Sequence, residues 1–433
     1  MTSIEELYAL FLQHPQVCTD SRAIIPGSIF FALKGPSFNG NTFAEQALSL
    51  GAAYAVVDED AYAKNPRCLL VKDGLAALQQ LANYHRHQLK IPVLAITGSN
   101  GKTTTKELVR AVLAKRYRTL ATKGNLNNHI GVPLTLLSIT NEIEFAVIEM
   151  GANHQHEIEA YCKIAEPHYG LITNVGKAHL EGFGGFEGVK KGKGELYEWI
   201  AQQAKPVFLN GNNSILSEMA KEHKVQYQVI YGTDSNFDCC GELVSDSPAL
   251  EVKWKQGEHS GHIHSQLIGR YNFENVLAAI CIGNYFGVEA HDIDEAIAAY
   301  VPDNSRSQVI TKGTNTIILD AYNANPTSME AALKNFASLS SSHKIICIGD
   351  MAELGEETTK EHGRIVEMLK NIPNEQIILV GKNFGVYSGQ IPCLHFETSD
   401  KAADWVKKHP FSNKNILIKG SRSTRMEKIL DSI

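Results

Sequence analysis

Val93-Leu94-Ala95-Ile96-Thr97-Gly98-Ser99-Asn100-Gly101-Lys102-Thr103-Thr104-Thr105 decides the fold: an apolar run breaks into a Gly-bounded turn that closes on Lys-Thr. It reads as a buried strand, a phosphate-cradling loop and the start of a helix. Successive backbone N–H groups in such a loop, with the positive end of the following helix, form a concave anion site that a lysine ammonium completes. Gly98, Ser99, Asn100, Gly101, Lys102, Thr103 and Thr104 are therefore the expected nucleotide contacts, with the Thr103 hydroxyl placed to hold Mg²⁺. The position six before Lys102 is Ile96 rather than Gly, so the loop is shorter at its front than the strict nucleotide-loop pattern. The bland alternative is a Gly-rich turn carrying an exposed lysine.

Strands alternate with helix-length segments on both sides of this stretch, which predicts an α/β chain with largely parallel sheets. Its 433 residues, 43% hydrophobic, suffice for several cores. Three units are expected. In the first, 1–82, Ser28 to Leu33 and Ala53 to Val57 read as strands around a helix at Phe43 to Leu50; a helix from Gln79 to Leu89 leads to the first boundary. The second, 83–304, adds strands at Phe145 to Glu149, His168 to Thr173 and Pro206 to Leu209, then extra β structure from Tyr227 to Leu267 at the sheet's edge. The third, 305–433, reads as a second doubly wound domain, with strands at Thr316 to Asp320, Lys344 to Gly349, Gln376 to Val380 and Asn415 to Lys419. No fixed-period repeat or low-complexity tract interrupts them.

A net charge of −6 argues against a nucleic-acid partner. The acidic start, Met1 to Glu6, lacks an export signal, and no 18-residue apolar run is present, so no membrane insertion and a cytoplasmic location are expected. The eight cysteines lack metal or redox spacing and are expected to be reduced, mostly buried thiols. The His pairs 85/87, 154/156 and 262/264 have no Cys or carboxylate companions at ligand spacing and are expected to be structural or exposed.

Chemistry gathers in the middle unit. Phe145 to Gly151 is a buried strand ending in Glu149, where such a sheet supplies a Mg²⁺ ligand; otherwise Glu149 is a solvated strand end. Leu171-Ile172-Thr173 runs into a Gly-rich loop that carries His179. Parallel strands deliver their trailing loops to one edge, so Thr103, Glu149 and His179 can converge on a metal, although a lone histidine is more often structural. Lys193, in Val189-Lys190-Lys191-Gly192-Lys193-Gly194-Glu195, reads from its residues alone as part of a basic solvated turn.

Six motifs resemble the muramyl ligase family, ATP-dependent amide ligases that build the cell-wall peptide stem. They are Thr97 to Thr104, Glu149-Met150-Gly151-Ala152, Thr173 to His179, Lys193-Gly194-Glu195, Tyr271-Asn272-Phe273-Glu274-Asn275 and Asp320 to Pro326, and the likeness covers nearly the whole chain. Gly349 to Gly355 and Lys419 to Ser423 resemble the branch that adds D-alanyl-D-alanine to a UDP-N-acetylmuramoyl-tripeptide. The Asp-Asn-Pro-Arg signature of the branch that adds the third residue is absent from the C-terminal unit. The resemblance implies ATP and two Mg²⁺ ions, with Lys102, His179 and Lys193 catalytic and Thr103, Glu149, His179 and Lys193 as metal ligands, Lys193 acting as a carbamate. It implies ATP contacts from Asn272, Asn275, Arg306 and Asp320, the last two reaching in from a mobile third unit. Ser21 and Arg22 match the UDP-binding domain, and Asn127 and Asn128 are expected to face the sugar-peptide. A monomer acting on small molecules is expected. The rival classes are a folylpolyglutamate-type or other cell-wall ligase, and a nucleotide-regulated binding module.

Overall fold

The computed structural model describes residues 1–302, 306–339 and 343–433, so the boundary expected at 304/305 lies outside the described residues. Three large sheets organise the chain, with a two-stranded ribbon of Lys34–Gly35 and Phe38–Asn39 besides. The first has four parallel strands in the order Val17–Cys18, Ile29–Phe31, Tyr54–Val57 and Cys68–Leu70. Helix Gly74–Gln88 leaves this sheet and runs unbroken through the boundary expected at 82/83. Leu78, Leu81 and Ala82 are fully buried on it, because one apolar face serves the helix Ile4–Gln13 and the helices of the central unit together.

The central sheet has nine strands. From one edge they run Thr119–Ala121, Phe145–Glu149, Val93–Thr97, Tyr169–Ile172, Val207–Asn210, Gln228–Gly232, Cys239–Ser245, Glu251–Gln256 and His259–His264. Every pair is parallel until the last two, which are antiparallel. Val93–Thr97 and Phe145–Glu149 are buried at every position, as continuous apolar runs in a parallel sheet covered on both faces require. The expected edge extension is present. Its register corrects one expectation: Glu251 stands directly across the ladder from His264, so the 262/264 pair does have a carboxylate companion, supplied by pairing between strands rather than by sequence spacing.

The third sheet runs Gln308–Lys312, Asn315–Asp320, Asn415–Lys419, Lys344–Gly349, Gln376–Val380 and Leu394–Phe396, parallel except for its first strand. That antiparallel edge strand alternates half-buried and exposed residues, a weaker apolar signal than its neighbours carry. No helix among the described residues is long and apolar enough to cross a membrane, and all eight cysteines are free.

Candidate functional site

In the central sheet the chain crosses to opposite sides after Val93–Thr97, leaving a crevice at the carboxyl ends of that strand and Tyr169–Ile172. Open parallel sheets bind ligands at such a switch point. Gly98 leaves the strand with φ +142°, and a Cβ there would lie 2.0 Å from Thr173 Oγ1. That hydroxyl donates to the Asn100 carbonyl at 2.6 Å. Asn100 N–H in turn donates to Asn174 Oδ1 at 3.0 Å, and Ser99 Oγ donates to the Gly176 carbonyl at 3.1 Å. The two loops are therefore stitched together, and the loop shape is set by its neighbour as much as by its own residues. Gly101, with φ +81°, caps helix Lys102–Leu113 without any side-chain acceptor, so the first N–H groups of that helix face the crevice. Asn275 Oδ1 would lie 2.6 Å from a Cβ at Gly101 and accepts from Thr105 Oγ1 at 3.0 Å. Asn272 accepts from Asn275 Nδ2 at 2.9 Å. Both asparagines begin the almost wholly buried helix Phe273–Tyr285, which packs along Lys102–Leu113.

Lys102 Nζ donates to the Gly98 carbonyl at 2.7 Å. Enclosure in the crevice lowers its pKa to about 8; Glu149 opposes the shift and Arg306 adds to it. Thr103 Oγ1 and Glu149 Oε2 are buried and have no hydrogen-bond partner among the described residues. Two hard oxygens left unsatisfied beside a phosphate loop fit a Mg²⁺ ion, which favours oxygen ligands and completes its shell with water and phosphate. Asn127 Nδ2 holds the other oxygen, Glu149 Oε1, at 2.7 Å. Behind Glu149 lies Lys106, fully buried, 4.0 Å from Oε2 and 2.8 Å from Glu107.

His179 lines the same cleft in a left-handed conformation, φ +54°, and its Nδ1 is ion-paired with Glu353 of the third unit. The pairing lowers the Glu353 pKa. Lys193 sits inside the helix Phe186–Gln202 rather than in a turn. It is 1% exposed, its Nζ lies 3.3 Å from the Ala152 carbonyl, and the Phe183 ring stands beside it at 5.2 Å. Burial drives its pKa well down, and Lys102 adds to the shift. Lys191 is exposed and Lys190 reaches Glu222, so helical periodicity turns one lysine of the run inward.

The third unit closes over this loop. Asn325 Nδ2 donates to Asn100 Oδ1 at 2.8 Å, Lys177 N–H donates to Thr327 Oγ1 at 3.1 Å, and Lys177 Nζ meets the buried Glu361 carboxylate at 2.5 Å. The Arg306 guanidinium stacks 3.7 Å over the Tyr322 ring and its Nε has no partner among the described residues. Asp320 is held by Lys419 at 2.5 Å. Tyr271 and Ser307 hydroxyls join across the seam at 2.7 Å. The resulting cavity of about 1160 Å³ is lined by Ser99 to Lys102, Thr104, Asn127, Asn128, Glu149, His179, Asn272, Asn275, Arg306 and Asp320.

Ser21 and Arg22 are not among its lining residues. Arg22 is exposed and bound bidentately by Asp20 at 2.9 and 2.7 Å, which holds the Asp20 carboxyl at about 2. Asn128 Oδ1 accepts from the Ile130 and Gly131 N–H groups at the start of helix Gly131–Leu137. Sequence reasoning missed Lys106, Lys177, Glu353 and Lys419. Asn325 carried a signal, Asn-Pro opening a helix, that marks an N-cap.

Family models match in three successive blocks: "Mur ligase family, catalytic domain" over 15–86, "Mur ligase middle domain" over 96–283 and "Mur ligase, glutamate ligase domain" over 305–422. The UDP-N-acetylmuramoyl-tripeptide–D-alanyl-D-alanine ligase of Bacillus subtilis (strain 168) is 34% identical over 96% of this chain and 92% of its own. That of Escherichia coli (strain K12) is 35% identical over 96% and 93%. A crystal structure of MurF from Acinetobacter baumannii superposes with a TM-score of 0.86 at 33% identity, covering 96% of this chain and 92% of that one. The ADP complex of a MurF ligase from Thermotoga maritima has the same fold, with a TM-score of 0.84 at 24% identity over 97% of both chains. By its family models, its near full-length relatives and its three-sheet fold, the chain belongs to the Mur ligase family.

Proposed function

We propose that this protein is the ATP-dependent ligase that joins D-alanyl-D-alanine to UDP-N-acetylmuramoyl-tripeptide, forming the pentapeptide precursor of peptidoglycan with ADP and phosphate. The observation that carries this reading is the meeting, in one cleft between two sheets, of the Ser99–Lys102 loop, Glu149, whose Oε2 has no hydrogen-bond partner among the described residues, and third-unit cations, in a chain similar to such ligases along 96% of its length.

Joining a carboxylate to an amine in water needs a better leaving group than hydroxide. The tripeptide's terminal carboxylate attacks the γ-phosphorus of ATP, the bond to the β-phosphate oxygen breaks, and ADP leaves. The amine of D-alanyl-D-alanine then attacks the acyl phosphate carbonyl, the C–O bond to phosphate breaks, and one proton is released with inorganic phosphate. Because the two reactants of the first step are both anions, the protein's task is to hold positive charge in place. Lys102 and the N–H groups from Gly101 to Thr104 take the transferring phosphate; Asn272, Asn275, Arg306 and Asp320 hold the rest of the nucleotide. Thr103, Glu149 and His179 are the ligands for Mg²⁺, which supplies charge neutralisation when bound. Closure of the third unit keeps water from the acyl phosphate.

Lys193 belongs to this machinery as a carbamate. A neutral amine adds to CO₂ and releases a proton; burial beside Lys102 favours that neutral form. The product is an anion suited to a second Mg²⁺ and to the Lys102 ammonium. Asn127 orients Glu149, Asn128 shapes the adjoining loop, and exposed Arg22 with Ser21 receives the uridine diphosphate end. The three units 1–82, 83–304 and 305–433 work as one monomer in the cytoplasm. Mass spectrometry of the product from defined UDP-muramoyl tripeptides tests the reaction: a pentapeptide product strictly dependent on D-alanyl-D-alanine supports it, and amide formation with glutamate instead overturns it.

A further inference from the structure

We propose that Glu251, His262 and His264, on the solvent face of the antiparallel extension of the central sheet, form a site for a zinc-class divalent cation. The ladder brings them together: His264 stands opposite Glu251, and His262, two residues earlier, shares its face. His262 Nε2 lies 2.7 Å and His264 Nδ1 3.9 Å from the same oxygen, Glu251 Oε1, and the two imidazole centroids are 4.7 Å apart. One ligand atom from each of the three lies within 4.8 Å of the others. Ligands around a tetrahedral zinc sit about 3.3 Å apart, so rotamer adjustment of roughly 1.5 Å closes the set.

The backbone beneath is held for this. Asp294 on helix Ala290–Ala299 accepts from the Trp254 indole at 2.7 Å and from the His262 N–H at 3.1 Å, pinning the edge strand at the residue that carries a ligand. A Cβ at Gly261 would lie 2.3 Å from the same carboxylate, so the helix approaches the strand only because glycine is there. Two imidazoles and one carboxylate suit zinc, copper or nickel better than magnesium, and the exposed face leaves water in the remaining positions. Cations also stand on this face: exposed Lys253 lies across the ladder from His262, and exposed Lys255 two residues further along the strand. The site lies outside the cleft residues and is independent of the ligase assignment.

The test titrates the full-length, metal-stripped protein with ZnCl₂ by calorimetry, with excess Mg²⁺ occupying the central cleft, and with CoCl₂ by visible absorption. One equivalent should bind and give the absorption of a low-symmetry cobalt centre. His264→Gln and Glu251→Gln should each weaken binding by about tenfold or more, with amide-forming activity and the metal-free melting temperature unchanged. A bound equivalent whose affinity is the same in both variants, or no bound equivalent in the parent, overturns the proposal.

Discussion

Gly98→Ala tests whether the phosphate loop is held by its neighbour. At φ +142° any side chain is strained by about 1–3 kcal/mol. The new methyl would also start 2.0 Å from Thr173 Oγ1, with the Thr173 and Asn174 amide nitrogens at 3.1 and 3.2 Å. The hydroxyl must leave, and its 2.6 Å bond to the Asn100 carbonyl goes with it. Asn174 Nδ2 still serves that carbonyl at 3.0 Å, so the loss is about 1 kcal/mol rather than the full cost of an orphaned group. Together the terms give about 2–4 kcal/mol, a fall of roughly 5–15 °C in the melting of the central unit. Displacing the loop by an ångström costs about 100-fold in positioning-dependent function, so ADP affinity should fall on that order. Calorimetry reads both. Combining Gly98→Ala with Thr173→Ala removes the collision while leaving the strain, so the pair should be less than additive by about 1 kcal/mol. An alanine variant that melts with the parent and binds ADP within twofold of it would refute the argument.

Glu149→Gln should weaken Mg²⁺ by about 100-fold and Asn127→Ala, which only frees Glu149 Oε1, by about tenfold, read from the Mg²⁺ dependence of ADP formation. Lys102, with its pKa near 8, loses charge as pH rises through that value, so nucleotide affinity should fall above pH 8 and binding there should take up a proton, measurable by calorimetry in two buffers; a flat affinity to pH 9 contradicts it. Because the unfolded lysine titrates near 10.4, the unfolded chain binds more protons between about pH 8 and 10.4, and this group's contribution to stability rises with pH across that window. Lys193→Arg should abolish a carbamate resonance from ¹³C-bicarbonate and most of the ligase rate; a resonance that persists places the carbamate elsewhere. Lys177→Met removes the cross-seam partner of Glu361 and leaves it paired with Arg364 alone, and because the lysine side chain is 38% exposed the loss is about 1 kcal/mol, enough to raise the open form roughly fivefold in small-angle scattering.

What could be read from the residues alone followed burial. Phe145 to Glu149, Lys344 to Gly349 and Gln376 to Val380 are apolar on both faces, so their runs carried their own boundaries. Gln308–Lys312, half exposed and antiparallel, had no such signature. The Gly-bounded turn before helix Lys102–Leu113 was legible because its signal is local in sequence, and the buried strand ending at Glu149 because its apolar run stops there. Lys193 was not: nothing within Val189 to Glu195 says which of three lysines faces inward until a 17-residue helix fixes the periodicity. Contacts between distant segments were beyond reach for the same reason. Glu353 and Lys177 are ordinary surface charges in the sequence and become partners of His179 and Glu361 only once two sheets face each other.

That facing has a mechanistic reason. Strands Asn315–Asp320 and Asn415–Lys419 end at Asp320 and Lys419, and both residues line the cleft whose floor is the carboxyl edge of the central sheet. Two parallel sheets thus present their ligand-binding edges to one another, each with loops that carry charge. A single sheet could place a phosphate, and the second sheet adds a facing wall that carries Asp320 and Lys419. Among the described residues the polar contacts across the seam include an amide pair at Asn325, a hydroxyl pair at Tyr271, the Thr327 hydroxyl, the Glu181 N–H on the Glu353 carbonyl, and ion pairs at Lys177 and His179. Polar contacts of this kind are worth about 1 kcal/mol each, so their sum is a few kcal/mol.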